Sequence, residues 1–130
     1  MSVSVFDISL SGLELQRLKS DVVALNISNS STVARSAAEV YRPIEVLATA
    51  GNYSDGIGSI STVERNVEPH RIHDPSHPFA DDKGFVYKPA VDSVREMINL
   101  MTATRSYQAN IQVLEASKKL IQWAIESGAK

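Results

Sequence analysis

All five prolines of this 130-residue chain lie between residues 43 and 89. A proline inside a helix removes one backbone hydrogen bond and drives its ring into the preceding turn. Long helices are therefore confined to the two proline-free ends, and both ends carry the pattern such helices need. From Phe6 to Asn29, Ile8, Leu15 and Val22 form one seven-residue row and Ser11, Leu18 and Leu25 the next, which predicts an amphipathic helix. It is expected to stop in "NISNSST", where Asn and Ser side chains compete for backbone hydrogen bonds. A second helix is predicted from Ser93 to Ser127. Ser93 and Glu96 have capping-box spacing, Asp92 adds favourable charge, and Gly128 closes the helix. Its rows are Met97, Thr104, Ile111, Lys118 and Ile125, with Leu100, Tyr107, Leu114 and Ile121 beside them.

With no other amphipathic helix in the chain, the two ends are expected to pair. The predicted fold is mainly α, an elongated coiled coil of N- and C-terminal helices with a small irregular and β segment in the middle. A helix from 93 to 127 is about 50 Å long at 1.5 Å per residue, whereas a compact globule of this length has a radius of gyration of about 14 Å. A rod is the consequence. The divisions are 1–32 for the N-terminal helical part, 33–91 for the middle and 92–130 for the C-terminal helical part. Within the middle, "VYRPIEVLA" and "IGSISTVERNV" are rich enough in β-branched and aromatic residues for two strands, and "NYSDG" suits the turn between them. "EPHRIHDPSHPFADDKGFVYKP" reads as mostly extended loop, with a tight turn at "DDKG".

Leu10, Leu13, Val23 and Ile27 on the first helix, and Ile98, Met101, Val113, Leu120 and Trp123 on the second, fall outside the rows. A two-helix hairpin cannot cover them, so neighbouring molecules are expected to. Tyr107 at a seam position, flanked by Gln108 and Asn110, can bury its ring while its hydroxyl bonds a neighbour's backbone. Asn26 and Asn29 read either as a helix stop or as contact residues. The candidate assembly residues are thus Leu15, Leu18, Val22, Leu25, Asn26, Asn29, Met97, Leu100, Tyr107, Gln108, Asn110, Ile111, Leu114, Ile121 and Trp123.

Several function classes are disfavoured. A net charge of -2 offers no basic surface for nucleic acid. No apolar run approaches a membrane span, and the start "MSVSVFDISLSGLELQRL" lacks the basic opening of a secretory signal. Without cysteine there is no disulfide, thiolate zinc site or cysteine nucleophile. His70, His73 and His77 with Asp74 and Asp81 have zinc-compatible chemistry, but at a spacing that belongs to no strong zinc motif. No phosphate loop or nucleophile elbow is present, so no catalytic residue, metal or cofactor is expected.

Two stretches carry a resemblance. "LKSDVVALNISNSST", with Asn26, Asn29 and Thr32, resembles the N-terminal signature of bacterial flagellar axial proteins. "DPSHPFADDKGFVYKPAVDSVREMINLMTATRSYQANIQVLEASK" is similar to the basal-body rod members of that family. The match is weak over residues 33 to 58, and Leu25, Ser28 and the tail "LIQWAIESGAK" depart from the pattern. The resemblance implies a proximal-rod subunit, exported by the flagellar type III apparatus without a cleaved signal. It implies polymerisation with copies of itself and other rod proteins into the drive shaft in the periplasm, near the MS ring, without nucleic acid or direct membrane insertion. Another axial rod subunit is one alternative. A cytoplasmic coiled-coil adaptor shares the helices but gives no reason for "RSYQAN", and a metal-dependent hydrolase would need the histidines.

Overall fold

A computed structural model describes residues 5–51 and 57–129. The element order is α1 (Val5–Asn29), β1 (Ile44–Ala50), β2 (Ile57–Glu64), β3 (His70–His73), β4 (Phe85–Lys88) and α2 (Ser93–Gly128). Both helices stand within a residue or two of their expected bounds and pack on each other as the main contact of the fold. They run antiparallel. Gly12 meets Asn110, while Gln16, Lys19 and Val23 line one cleft with Ser106, Ala103 and Asn99.

α2 is capped differently from expectation. Asp92, not Ser93, is the N-cap, its Oδ1 accepting from the Val94 and Arg95 amides at 3.0 and 3.1 Å. Glu96 is drawn instead toward Arg65. Gly128 is the last helical residue, one position later than the expected stop, with Ala129 as C-cap. α1 ends as expected. Asn29 Nδ2 donates back to the Leu25 carbonyl at 2.9 Å, and Thr32 Oγ1 donates to the Asn29 carbonyl at 2.7 Å.

β1 and β2 form the expected antiparallel hairpin, from Ile44 opposite Glu64 to Ala50 opposite Ile57, with a bulge at Thr49/Ala50. The turn assigned to "NYSDG" lies outside the described residues. A second hairpin corrects the reading of residues 68 to 89 as mostly loop, because β3 pairs with β4 from His70/Lys88 to His73/Phe85. The prolines do not prevent it. Pro69 precedes β3, Pro75 follows it and Pro89 follows β4, so each sits outside the ladder where no donor is lost. Ala34 and Tyr87 exchange both backbone hydrogen bonds, at 2.9 and 3.1 Å, tying the chain after α1 to β4.

The turn at "DDKG" is formed by Asp81. Its Oδ1 accepts from the Lys83 and Phe85 amides at 2.9 and 2.8 Å, and Gly84 takes a positive φ of 75° while donating to the Asp81 carbonyl. The Phe85 N–H is the largest influence on the Asp81 carboxyl, with the Lys83 N–H adding to it, and together they hold it below the usual carboxylate range. A carboxyl lowered in the folded state stabilises above its unfolded value and loses that contribution as pH falls through the folded one. The Phe85 amide is therefore expected to lose protection only below about pH 4, in a pH series of exchange rates. Asp81→Asn, which has no carboxyl to titrate, should abolish that transition.

The seam is broader than the expected rows. On α1, Gly12, Gln16, Lys19 and Val23 face α2 together with the predicted Val22; Leu15 and Leu18 are half-buried beside them, and the predicted Ile8 and Leu25 are exposed. On α2 Glu96, Ala103, Asn110 and Ser117 are turned inward where Met97, Thr104 and Lys118 are exposed, whereas Ile111 and the row of Leu100 and Leu114 stay half-buried. Where the seam residue is smallest, at Gly12, the helices come close enough for Asn110 to pack over the backbone. A Cβ added at Gly12 would stand 2.9 Å from Asn110 Nδ2. Gly12→Ala is expected to be nearly neutral, since a flexible amide can yield and alanine gains about 1 kcal/mol of helix propensity. Gly12→Val should block pairing, with swimming lost on soft agar.

Candidate assembly surface

The subunit holds several polar residues inside and leaves many apolar ones outside. Ser9, Asn26 and Glu96 are buried, alongside a small core of Val22, Val23, Val40, Val86 and Ala103 and the prolines Pro43 and Pro89. On the far side of α2, Met97, Ile98 and Met101 are 56–58% exposed, and the adjoining Val94 is more open still. A second apolar patch lies further along, where Leu120 and Trp123 are 65% and 72% exposed. From Lys118 onward every described residue of α2 is exposed, because the helix runs past the described part of α1. On α1, Val5, Ile8, Leu10 and Leu25 add to the open apolar surface. Clustered exposed apolar side chains of this kind make the outer face of α2 a candidate contact face.

The candidate residues divide accordingly. Met97, Tyr107, Gln108, Ile121 and Trp123 are exposed on α2, and Leu25 is exposed on α1. Leu15, Leu18, Leu100, Asn110, Ile111 and Leu114 are half-buried at the seam or its edges. Val22 and Asn26 are occupied inside the chain, and Asn29 serves the end of α1.

Asn26 is fully buried and fills a role the sequence reading did not assign it. Its Nδ2 donates to the Ile44 carbonyl at 2.8 Å, and its Oδ1 accepts from the Ile44 amide at 2.9 Å and the Tyr41 hydroxyl at 2.8 Å. The amide thus pairs with the first residue of β1 as a neighbouring strand would. Beside it on α2, Glu96 is 1% exposed and meets Arg65 Nη2 at 2.8 Å, off the line of a good hydrogen bond, so the attraction is chiefly between charges. Burial first, and the Glu96 charge second, push the Tyr41 hydroxyl above its ordinary value. Sequence reasoning missed the pair because nothing in the spacing of Arg65 and Glu96 links a strand end to a helix start. The one available signal was Glu96 itself, an acidic residue in what proves to be a seam row.

The histidine-bearing loop satisfies itself locally. His77 Nδ1 accepts from the Phe79 amide at 3.0 Å, His73 packs edge-on to Phe85 at 4.9 Å, and the Arg71 guanidinium lies 3.6 Å over the same ring. Asp74 accepts from the Ser76 hydroxyl at 2.7 Å, the chief influence lowering its carboxyl. Among the described residues, no group of three His, Asp or Glu side chains converges in metal-binding geometry. No described helix is long and apolar enough to cross a membrane.

Residues 82–126 match the family described as flagellar basal body rod FlgEFG protein C-terminal, which takes in β4 and nearly all of α2. Across the whole chain the similarity is to proteins named flagellar basal-body rod protein FlgC. The Salmonella typhimurium protein is 36% identical over 123 residues, covering 92% of each chain. The Bacillus subtilis protein is 30% identical over 94% of this chain and 95% of its own length, and the Aquifex aeolicus protein 31% over 95% of both. Two paired terminal helices with an apolar outer face, together with this full-length similarity, show that the chain belongs to the FlgC family and is a structural subunit of the flagellar basal-body rod.

Proposed function

We propose that this rod subunit polymerises in the proximal rod, with its paired helices along the shaft and the apolar outer face of α2 packed against copies of itself and other rod subunits. The supporting observation is that Met97, Ile98 and Met101 stand in solvent while Glu96 and Asn26 fill the interior. A lone globule gains by the reverse arrangement. Packed helices in many copies resist twisting together, which suits a shaft that transmits torque across the periplasm. The subunit reaches that site through the flagellar type III export apparatus without a cleaved signal, and its first neighbours lie near the MS ring. Leu15, Leu18, Leu25, Met97, Tyr107, Gln108, Ile121 and Trp123 are the contact residues in this reading.

Photocrosslinking in cells tests it. A benzophenone side chain at Met101 should capture identified rod subunits or a second copy, in material that sediments with basal bodies. Recovery only in the cytosol, with no rod subunit captured, would favour the coiled-coil adaptor instead.

A further inference from the structure

We infer that Asn26 and Glu96 form a two-sided latch, one jaw on each helix, which docks the β1–β2 hairpin only when α1 and α2 are paired. The base of the hairpin is gripped from both sides. On one strand, both backbone groups of Ile44 are taken by the Asn26 side chain from α1. On the other, Arg65 donates its amide to the Pro43 carbonyl at 2.7 Å, closing the base, and extends its guanidinium to Glu96 of α2. Among the described residues, Glu45 is the one other carboxylate within ion-pair distance of that guanidinium, at 3.7 Å and half in water. Tyr41 joins the jaws, donating to Asn26 Oδ1 while lying within the field of Glu96.

Each partial arrangement forfeits part of this set. Paired helices with a free hairpin would leave the Glu96 carboxylate without Arg65 and the Asn26 amide without its strand. Losing one partner of such a pair is disfavoured. A hairpin held by α1 alone would keep the Asn26 bonds but lose the ion pair, and one held by α2 alone the reverse. Pairing and docking therefore occur together. The hairpin takes a fixed direction only in a subunit whose helices have closed, and so reports that closure to whatever packs beside it.

The absence of cysteine makes a direct test available. Gln16 and Ser106 line the same cleft and touch neither jaw, so Gln16→Cys and Ser106→Cys in the full chain, joined by a short bis-maleimide, hold the helices paired. Hydrogen exchange is then read at two amides, each responding to the jaw it does not touch. Glu96→Ala should speed exchange of the Ile44 amide, which is bonded to Asn26, about tenfold or more, the equivalent of one lost net interaction. Asn26→Ala should do the same to the Arg65 amide, which is bonded to Pro43. The helix amides should hold in both. The latch is overturned if either amide keeps its protection in the opposite variant. It is equally overturned if both are protected in the uncrosslinked chain while its helix amides exchange freely.

Discussion

Met101→Asp is expected to abolish swimming while leaving the amount of subunit exported unchanged. Within a single chain the side chain is 58% exposed on the outer side of α2, so whether or not the lone subunit is ordered a charge there stays in water and costs almost nothing. In a rod whose neighbours cover that face the same charge is desolvated without a partner, which costs several kcal/mol at each contact. Repetition along the shaft multiplies the effect. Tyr107→Asp should act in the same direction, though less strongly, since its ring stands at the edge of the seam and is 37% exposed. A motility assay beside a measurement of secreted subunit separates assembly from export. Normal swimming in Met101→Asp would remove α2's outer face from the contact surface.

The contrast between these positions bears on what the sequence made legible. The helices were visible because proline-free ends with apolar residues every third or fourth position can form little else. The first hairpin was visible from its β-branched runs. The face each helix turns inward was only partly legible, because counting apolar residues finds the most hydrophobic stripe, and here the seam shares Val22, Leu100 and Leu114 of that stripe with small and polar residues while Ile8, Leu25 and Met97 stand in solvent. Ser9, Gly12, Ala103 and Asn110 make the close internal seam, and their small or polar side chains leave no mark in a hydrophobic pattern. The second hairpin was hidden by prolines that proved to bracket its strands. Asn26 was noticed for the right position and the wrong reason, since a helix stop and a strand clasp use the same amide and differ only in a partner 18 residues away.

The second large effect concerns folding. The described core holds five apolar side chains and two prolines for helices of 25 and 36 residues. Ordering each of those residues costs about 1–2 kcal/mol of backbone entropy. The internal seam, with Asn110 over Gly12 and a buried ion pair in place of leucines, cannot offset that alone, so the missing burial has to come from neighbours. A subunit that stays loosely ordered until it docks also suits passage through a narrow export channel, since its ordering energy is then gained at the growing tip.

Hydrogen exchange on the dilute, verified monomer, set beside the same chain in isolated basal bodies, measures this directly. The account predicts that amides in Val5–Asn29 and Ser93–Gly128 exchange at nearly unprotected rates in the monomer and become strongly protected in the rod. Strong protection of both helices in the dilute monomer would contradict it, showing that the polar seam suffices and that the apolar outer face is not what completes the fold.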